Sequence, residues 1–364
     1  MIINIFYYLT TAAFAVKSEM PFRWPAGEAG PSGGGDKRRI LLYADRGFHG
    51  GLTVFKRVYL AFLLLALTIS LLPACAKPTV RLSFEQGSSD KYRVTIDTTG
   101  AMRVRNRYQT AFETHQILDL EQQVLTSPTP GQYQLRVTFT RVQMGSEVGG
   151  RQAIRADTGH ITDSAPVYER ALTALLNKPI ILDIGPDGLV KKVTGMDAIV
   201  ASIKLMLART PGTPTEYSAM LANYYGEDFI RNLFESFTTS FPPASVQATT
   251  WRRNRVLFDP NLGRRLKFTQ NCRLTNPGEK IAEIDFDGSI LPGAQDAQPE
   301  TRLPQSGMTV ILMQGAVKGS VSFDLSASRL EKLEQQVTYL YGFGGEAQPL
   351  PTQKIMQQIL MERQ

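Results

Sequence analysis

The chain has 364 residues. About 290 of them follow Cys75, enough for one large domain or two small ones. The formal charge is +7, but residues 1–75 carry 8 Lys/Arg against 4 Asp/Glu, which leaves 32 against 29 beyond them. A balance that close gives no argument for a nucleic-acid partner.

Residues 1–53 include the Gly-rich run GEAGPSGGGDKRR, which cannot bury a core. They read as an upstream mis-start or a disordered leader, with Val54 as the expected true start. A rival leader, Met1 to Ala15, is apolar and ends Ala13-Phe14-Ala15, but no cation leads into it. Gly30-Pro31-Ser32-Gly33-Gly34 matches the hydrolase elbow G-x-S-x-G. That elbow needs a strand before the serine and a helix after it, which a Gly/Pro tract does not supply.

From Phe55 the chain reads FKRVYLAFLLLALTISLLPAC. Two cations, Lys56 and Arg57, precede an uncharged run from Val58 to Ala74, the order of a secretory signal. The run is shorter than a spanning helix needs. Its exit, Leu72-Pro73-Ala74-Cys75, resembles a bacterial lipobox. The resemblance implies a signal peptide over 54–74, cleavage between Ala74 and Cys75, and acylation of Cys75. Residues 75–79 would then form a lipidated tether. Several acyl chains hold a protein stably on a bilayer where one is marginal. With Cys75 acylated, Cys272 has no disulfide partner and is expected as a free thiol in the core.

Strand signals begin with Val80-Arg81-Leu82-Ser83-Phe84 and return at Tyr92 to Ile96 and Arg103 to His115. The cleanest alternation is Tyr133 to Val142, the mark of an antiparallel sheet with one wet face. Ile180 to Ile184 and Leu189 to Val193 flank Gly185-Pro186-Asp187-Gly188 and read as a hairpin. Helices follow near 196–240. Ile199, Val200, Ile203, Met206 and Leu207 share one stripe, Thr213 and Glu216 make a capping box, and Glu227 to about Phe237 forms a third helix. Strands are expected again at Arg264 to Cys272, Lys280 to Phe286, Thr309 to Met313, Gly319 to Leu325 and Leu330 to Leu340. Residues 80–344 thus read as one domain, and 345–364 as a linker plus an amphipathic helix capped by Thr352. Leu-Glu-Gln-Gln-Val occurs at Leu120 and again at Leu333, too short a match to establish a repeat.

Little in this stretch points to chemistry. His115 and His160 lie in no ligand-spaced cluster, so no metal or cofactor is expected. Asp285 and Asp287 stand at i and i+2, but Gly288 suggests a turn instead of an acid/base pair. No catalytic residues are assigned. The most basic stretch brings together Arg252, Arg253, Arg255, Arg264, Arg265 and Lys267, a candidate contact for anionic headgroups or polysaccharide against the simpler reading of a solvated strand face. Export makes nucleic acid an unfitting partner.

The hairpin ILDIGPDGLVKKV, then Gly195-Met196-Asp197 and a helix, then GSVSFDLSASRLEKLEQQ, resembles a family of bacterial lipoproteins, domain of unknown function 6263. The resemblance carries no catalytic residues. The fold expected is α+β: curved antiparallel sheets with a central helical insertion, distantly similar to the periplasmic lipoprotein-carrier half-barrel, an analogy of fold alone. The expected protein is a non-enzymatic lipoprotein anchored to the envelope by its lipid. Ala76, where an inner-membrane retention signal has aspartate, points to the outer membrane facing the periplasm. It would hold a lipid or other hydrophobic ligand, with an assembly role beside an envelope protein partner, or a hydrolase, as alternatives.

Overall fold

The computed structural model describes residues 80–364 apart from 105–106, 126–130, 163, 209–224, 244–247, 260–263, 278–279, 292–299, 303–308 and 346–347. The signal stretch, Cys75, the tether and the capping box at Thr213 and Glu216 lie outside the described residues. The first half of the chain supplies β1 (Ser89–Val104), β2 (Arg107–Val124), β3 (Tyr133–Val148), β4 (Arg151–Asp157), α1 (Val167–Leu172), β5 (Pro179–Ile184), β6 (Val190–Thr194) and α2 (Met196–Ala208). The second half supplies α3 (Glu227–Thr238), β7 (Thr250–Asp259), β8 (Arg264–Pro277), β9 (Ile281–Ile290), β10 (Glu300–Arg302), β11 (Thr309–Asp324), β12 (Arg329–Gly345) and β13 (Gln348–Arg363).

All thirteen strands join one antiparallel sheet in the order β6-β5-β3-β2-β1-β13-β12-β11-β9-β8-β7, with β4 on β3 and β10 on β11. From β1 at mid-sheet the strands meander out to β6, and the helices follow. The chain restarts at the opposite edge with β7 and meanders back until β13 pairs with β1.

The C-terminal segment is therefore a strand and not the amphipathic helix that Ile355, Met356, Ile359 and Leu360 suggested. β13 lies between β1 and β12 and bonds to both, so its backbone groups are met on two sides. Over a run this short, apolar spacing fits either period. Two further expectations change. Asp285, Asp287 and Gly288 lie within β9 and not in a turn. Val80 to Phe84 forms no strand but crosses one end of the sheet. There Tyr133 Oη donates to the Leu82 carbonyl (3.0 Å), Ser83 Oγ bonds Ser328 Oγ (3.1 Å), and Phe84 meets the Tyr133 ring edge-on.

The sheet is strongly curved. Asp259 on β7 bonds to Tyr341 on β12, four strands away in the sheet order. Flat strands would place them roughly 19 Å apart at about 4.8 Å per step. The two edges are also bridged by one helix, since α3 touches both β6 and β7. On the β6 side, Val190 N–H donates to Glu235 (2.9 Å), Arg231 donates to the Val190 carbonyl, and Thr238 Oγ1 donates to the Gly188 carbonyl (2.6 Å). On the β7 side, Asn232 Nδ2 donates to the Phe258 carbonyl (2.9 Å) and its Oδ1 accepts from Phe258 N–H (3.0 Å). Polar side chains of α3 thus stand where a further strand would stand and satisfy edge groups that would otherwise invite another chain.

Candidate functional site

The buried face of the sheet is not uniformly apolar. Near the end crossed by residues 80–88 it is built from Tyr92, Leu120, Leu135, Val137, Leu182, Phe323 and Leu333, and there Phe237 of α3 meets the Phe84 ring edge-on. Further along the strands, polar side chains occupy inward positions. Thr98 on β1 stands opposite Thr114 on β2 and Gln357 on β13, and Thr114 stands opposite Ser146 on β3. One inward step towards the crossed end come Gln116 on β2 and Gln335 on β12; beyond the row on the other side come Tyr341 and Gln353, a cross-strand pair.

Some of these groups are satisfied. Tyr225 Oη donates to Gln116 Oε1 (3.2 Å). Others are not: among the described residues Thr114 Oγ1, Gln335 Oε1 and Gln353 Nε2 find no hydrogen-bond partner, although each residue is at most 4% exposed. A buried polar group left unmatched costs about 1–3 kcal/mol. With Gln122 Oε1 they make four unmatched polar atoms on this face among the described residues.

A second set surrounds α3. Arg255 on β7 is 2% exposed and its Nη1 donates to Gln270 Oε1 (2.8 Å). Nη2 lies 3.4 Å from Ser236 Oγ, and the guanidinium sits 5.6 Å from the Phe268 ring centre. Burial lowers its pKa to about 10, which leaves it cationic at neutral pH. Glu235 is also buried, and desolvation raises its pKa against the pull of the Val190 N–H, Arg255 and Arg231. Arg253 donates twice to the Phe241 carbonyl (3.2 and 2.9 Å). Cys272 is a buried free thiol, its pKa pushed up to about 11 by burial.

The basic stretch singled out in the sequence is accordingly divided. Arg252 and Lys267 are exposed, Arg265 pairs with Asp228 (2.8 Å), and Arg253 and Arg255 turn inward. Arg264 opens β8, opposite Asp259. His115 and His160 are solvent-facing and bond Asp97 (2.6 Å) and Asp157 (3.0 Å). Asp285 and Asp287 are taken by Arg273 (3.4 Å) and Asn271 (3.1 Å) on β8. Among the described residues no group of His, Cys, Asp and Glu is arranged to hold a metal. The inward polar row was missed in the sequence, although Thr and Gln at positions in phase with Val94, Ile96, Leu118 and Val337 are a usable signal.

One outer contact predicts a clear pH effect. Asp157 accepts from Arg141 (3.0 and 2.7 Å), Gln143 (2.9 Å) and Gly159 N–H (3.0 Å). The Arg141 bonds above all hold its carboxyl well below the usual range, with Gln143, His160 and Gly159 helping against desolvation. A depressed carboxyl stabilises the fold fully above its ordinary pKa of 3.8 and loses that contribution as pH falls through the folded value. Asp157→Asn should cost about 1–2 kcal/mol at pH 7. Urea unfolding should show the gap between variant and parent narrowing below pH 3.8.

No curated protein sequence matches the chain. A solved structure described as lipid–protein interactions in lipovitellin overlaps 78% of this chain and 25% of its own, at 9% identity and a TM-score of 0.42. The chain thus spans about a quarter of that protein's length. A family model described as a family of unknown function, DUF6263, matches residues 130–328, from the start of β3 through the turn after β11. That match covers more than half of the chain, which belongs to this family.

Proposed function

We propose that the chain is a non-enzymatic lipoprotein of the cell envelope, moored through Cys75, that holds a lipid or other hydrophobic ligand against the inner face of its curved sheet. One observation carries the binding role: the unmatched, buried Thr114 Oγ1, Gln335 Oε1 and Gln353 Nε2 share the inner face with apolar side chains such as Val94, Leu118 and Val337. An amphipathic ligand supplies both the apolar surface and the hydrogen-bonding groups that these atoms lack. The lipobox Leu72-Pro73-Ala74-Cys75 supports the anchoring, and Ala76 supports the outer membrane as its place. Arg252 and Lys267, both exposed on the outer face, would then lie against anionic headgroups.

Native mass spectrometry of the purified protein, followed by organic extraction, should recover a stoichiometric apolar ligand. Protein of bare mass with an empty extract would refute the binding role. Labelled palmitate fed to the producing cells should enter the protein and be lost on Cys75→Ser.

The same atoms give a second test with an unusual sign. Thr114→Val removes an unmatched hydroxyl at nearly constant shape, so the delipidated variant should be more stable than its parent by about 1 kcal/mol. Its uptake of the extracted ligand should fall. A variant less stable than the parent would mean that Thr114 is already paired in the empty protein.

A further inference from the structure

Arg255 is a cation buried in the interior, 2% exposed. Buried charges are normally paired, because water surrenders them at several kcal/mol each. Among the described residues no carboxylate lies within ion-pair distance of Arg255. Its hydrogen bonds go to neutral Gln270 and, at 3.4 Å, to neutral Ser236. The nearby acid, Glu235, is already engaged by Val190 N–H at 2.9 Å and Arg231 at 3.9 Å. Among the described residues Arg255 Nε has no hydrogen-bond partner. Neither has Trp251 Nε1, on the same strand and the same face. Both groups can only donate, so whatever satisfies them must accept. Phe268 flanks the guanidinium and adds an apolar wall.

We infer that Arg255 is the anchor for an anionic oxygen head, a carboxylate or a phosphate, on an acyl-chain ligand. This rests on the reading of the interior as a ligand site and names the chemistry of its head. A carboxylate or phosphate oxygen would occupy the free Nε position, forming a charge-assisted bond of the strong class. The chain would lie against the apolar part of the inner face. Gln270 has a positioning role: its Oε1 holds Nη1 while its Nε2 donates to Ser240 Oγ at 3.0 Å, fixing the guanidinium between β8 and the end of α3.

The test compares oleate, methyl oleate and lysophosphatidylglycerol by tryptophan fluorescence and calorimetry, using delipidated protein with residues 80–364 intact. Oleate or lysophosphatidylglycerol should bind roughly 10- to 100-fold more tightly than methyl oleate, the range of one bond to a charged group. The tighter of the two anions identifies the head. Arg255→Gln should erase that preference, lowering anion affinity by far more than methyl oleate affinity. Equal binding of acid and ester by the parent, or undiminished anion binding by a folded Arg255→Gln, overturns the anchor and leaves the binding role standing. Failure of all three probes to bind the parent overturns both. Should Arg255→Gln not fold, the comparison of acid with ester in the parent decides alone.

Discussion

Gly319→Ala should destabilise the protein by about 3 kcal/mol or more, at the upper end of what an overfilled core costs. Gly319 lies mid-strand in β11 on the inner face, opposite Phe286 of β9 and Gln335 of β12. A Cβ there would come 2.1 Å from the Glu334 carbonyl oxygen and 2.5 Å from Phe286 Cζ. The ring could turn aside, but the carbonyl belongs to the ladder with β12 and cannot move without breaking pairing. The effect should spread beyond the site, because β11 and β12 join the second half of the sheet to β13 and β1. Thermal unfolding of the variant should show a large fall in Tm, and hydrogen exchange should speed up in β9, β11 and β12 together. A fall in Tm of only a degree or two would show that the strand yields locally.

The sheet was legible where alternation is strict and the turns are marked. Tyr133 to Val142 alternates, and Pro-Asp-Gly closes the hairpin of β5 and β6, with Gly188 at φ +76°. The α2 stripe was half-legible, since Ile199, Ile203 and Leu207 are buried while Val200 is half-buried and Met206 is exposed, and α3 covers the span expected from Glu227 to Phe237. What failed is instructive. β13 carries Ile355, Met356, Ile359 and Leu360 at helical spacing, and only the two open ladders of β1 and β12 decide for a strand. Asp287-Gly288 has a turn composition, yet Gly288 faces inward beneath Phe268.

The candidate site was half-legible. Arg253 and Arg255 are in phase with Trp251 and Leu257, so alternation alone would have turned them inward. Treating the basic run as one patch hid that. The same parity places Gln122 and Gln335 inward in the two Leu-Glu-Gln-Gln-Val segments, and both are buried with an unmatched Oε1. Nothing local signals the bridging of two sheet edges by α3. Asn232, Arg231 and Glu235 look like ordinary solvated helix residues until the long-range order of the strands is known.

That bridge carries the second large effect. Asn232→Leu should destabilise the protein by about 2–4 kcal/mol, because both the N–H and the carbonyl of Phe258 lose their partner at once and leucine offers neither donor nor acceptor. Asn232→Asp separates the two losses: the carboxylate still accepts from Phe258 N–H but cannot donate to its carbonyl, so it should cost less than leucine at neutral pH. The loss should differ in kind from that of Gly319→Ala. A packing clash at mid-sheet weakens strands that are paired on both sides, whereas a broken staple frees an edge strand. The leucine variant should therefore keep much of its far-ultraviolet strand signal while exchanging amides rapidly in β7 and α3, and it should self-associate as protein concentration rises, since the bared edge of β7 offers a template for another chain. A variant that loses stability uniformly and stays monomeric would mean that Asn232 only packs the helix, and that the edge of β7 is guarded by other means.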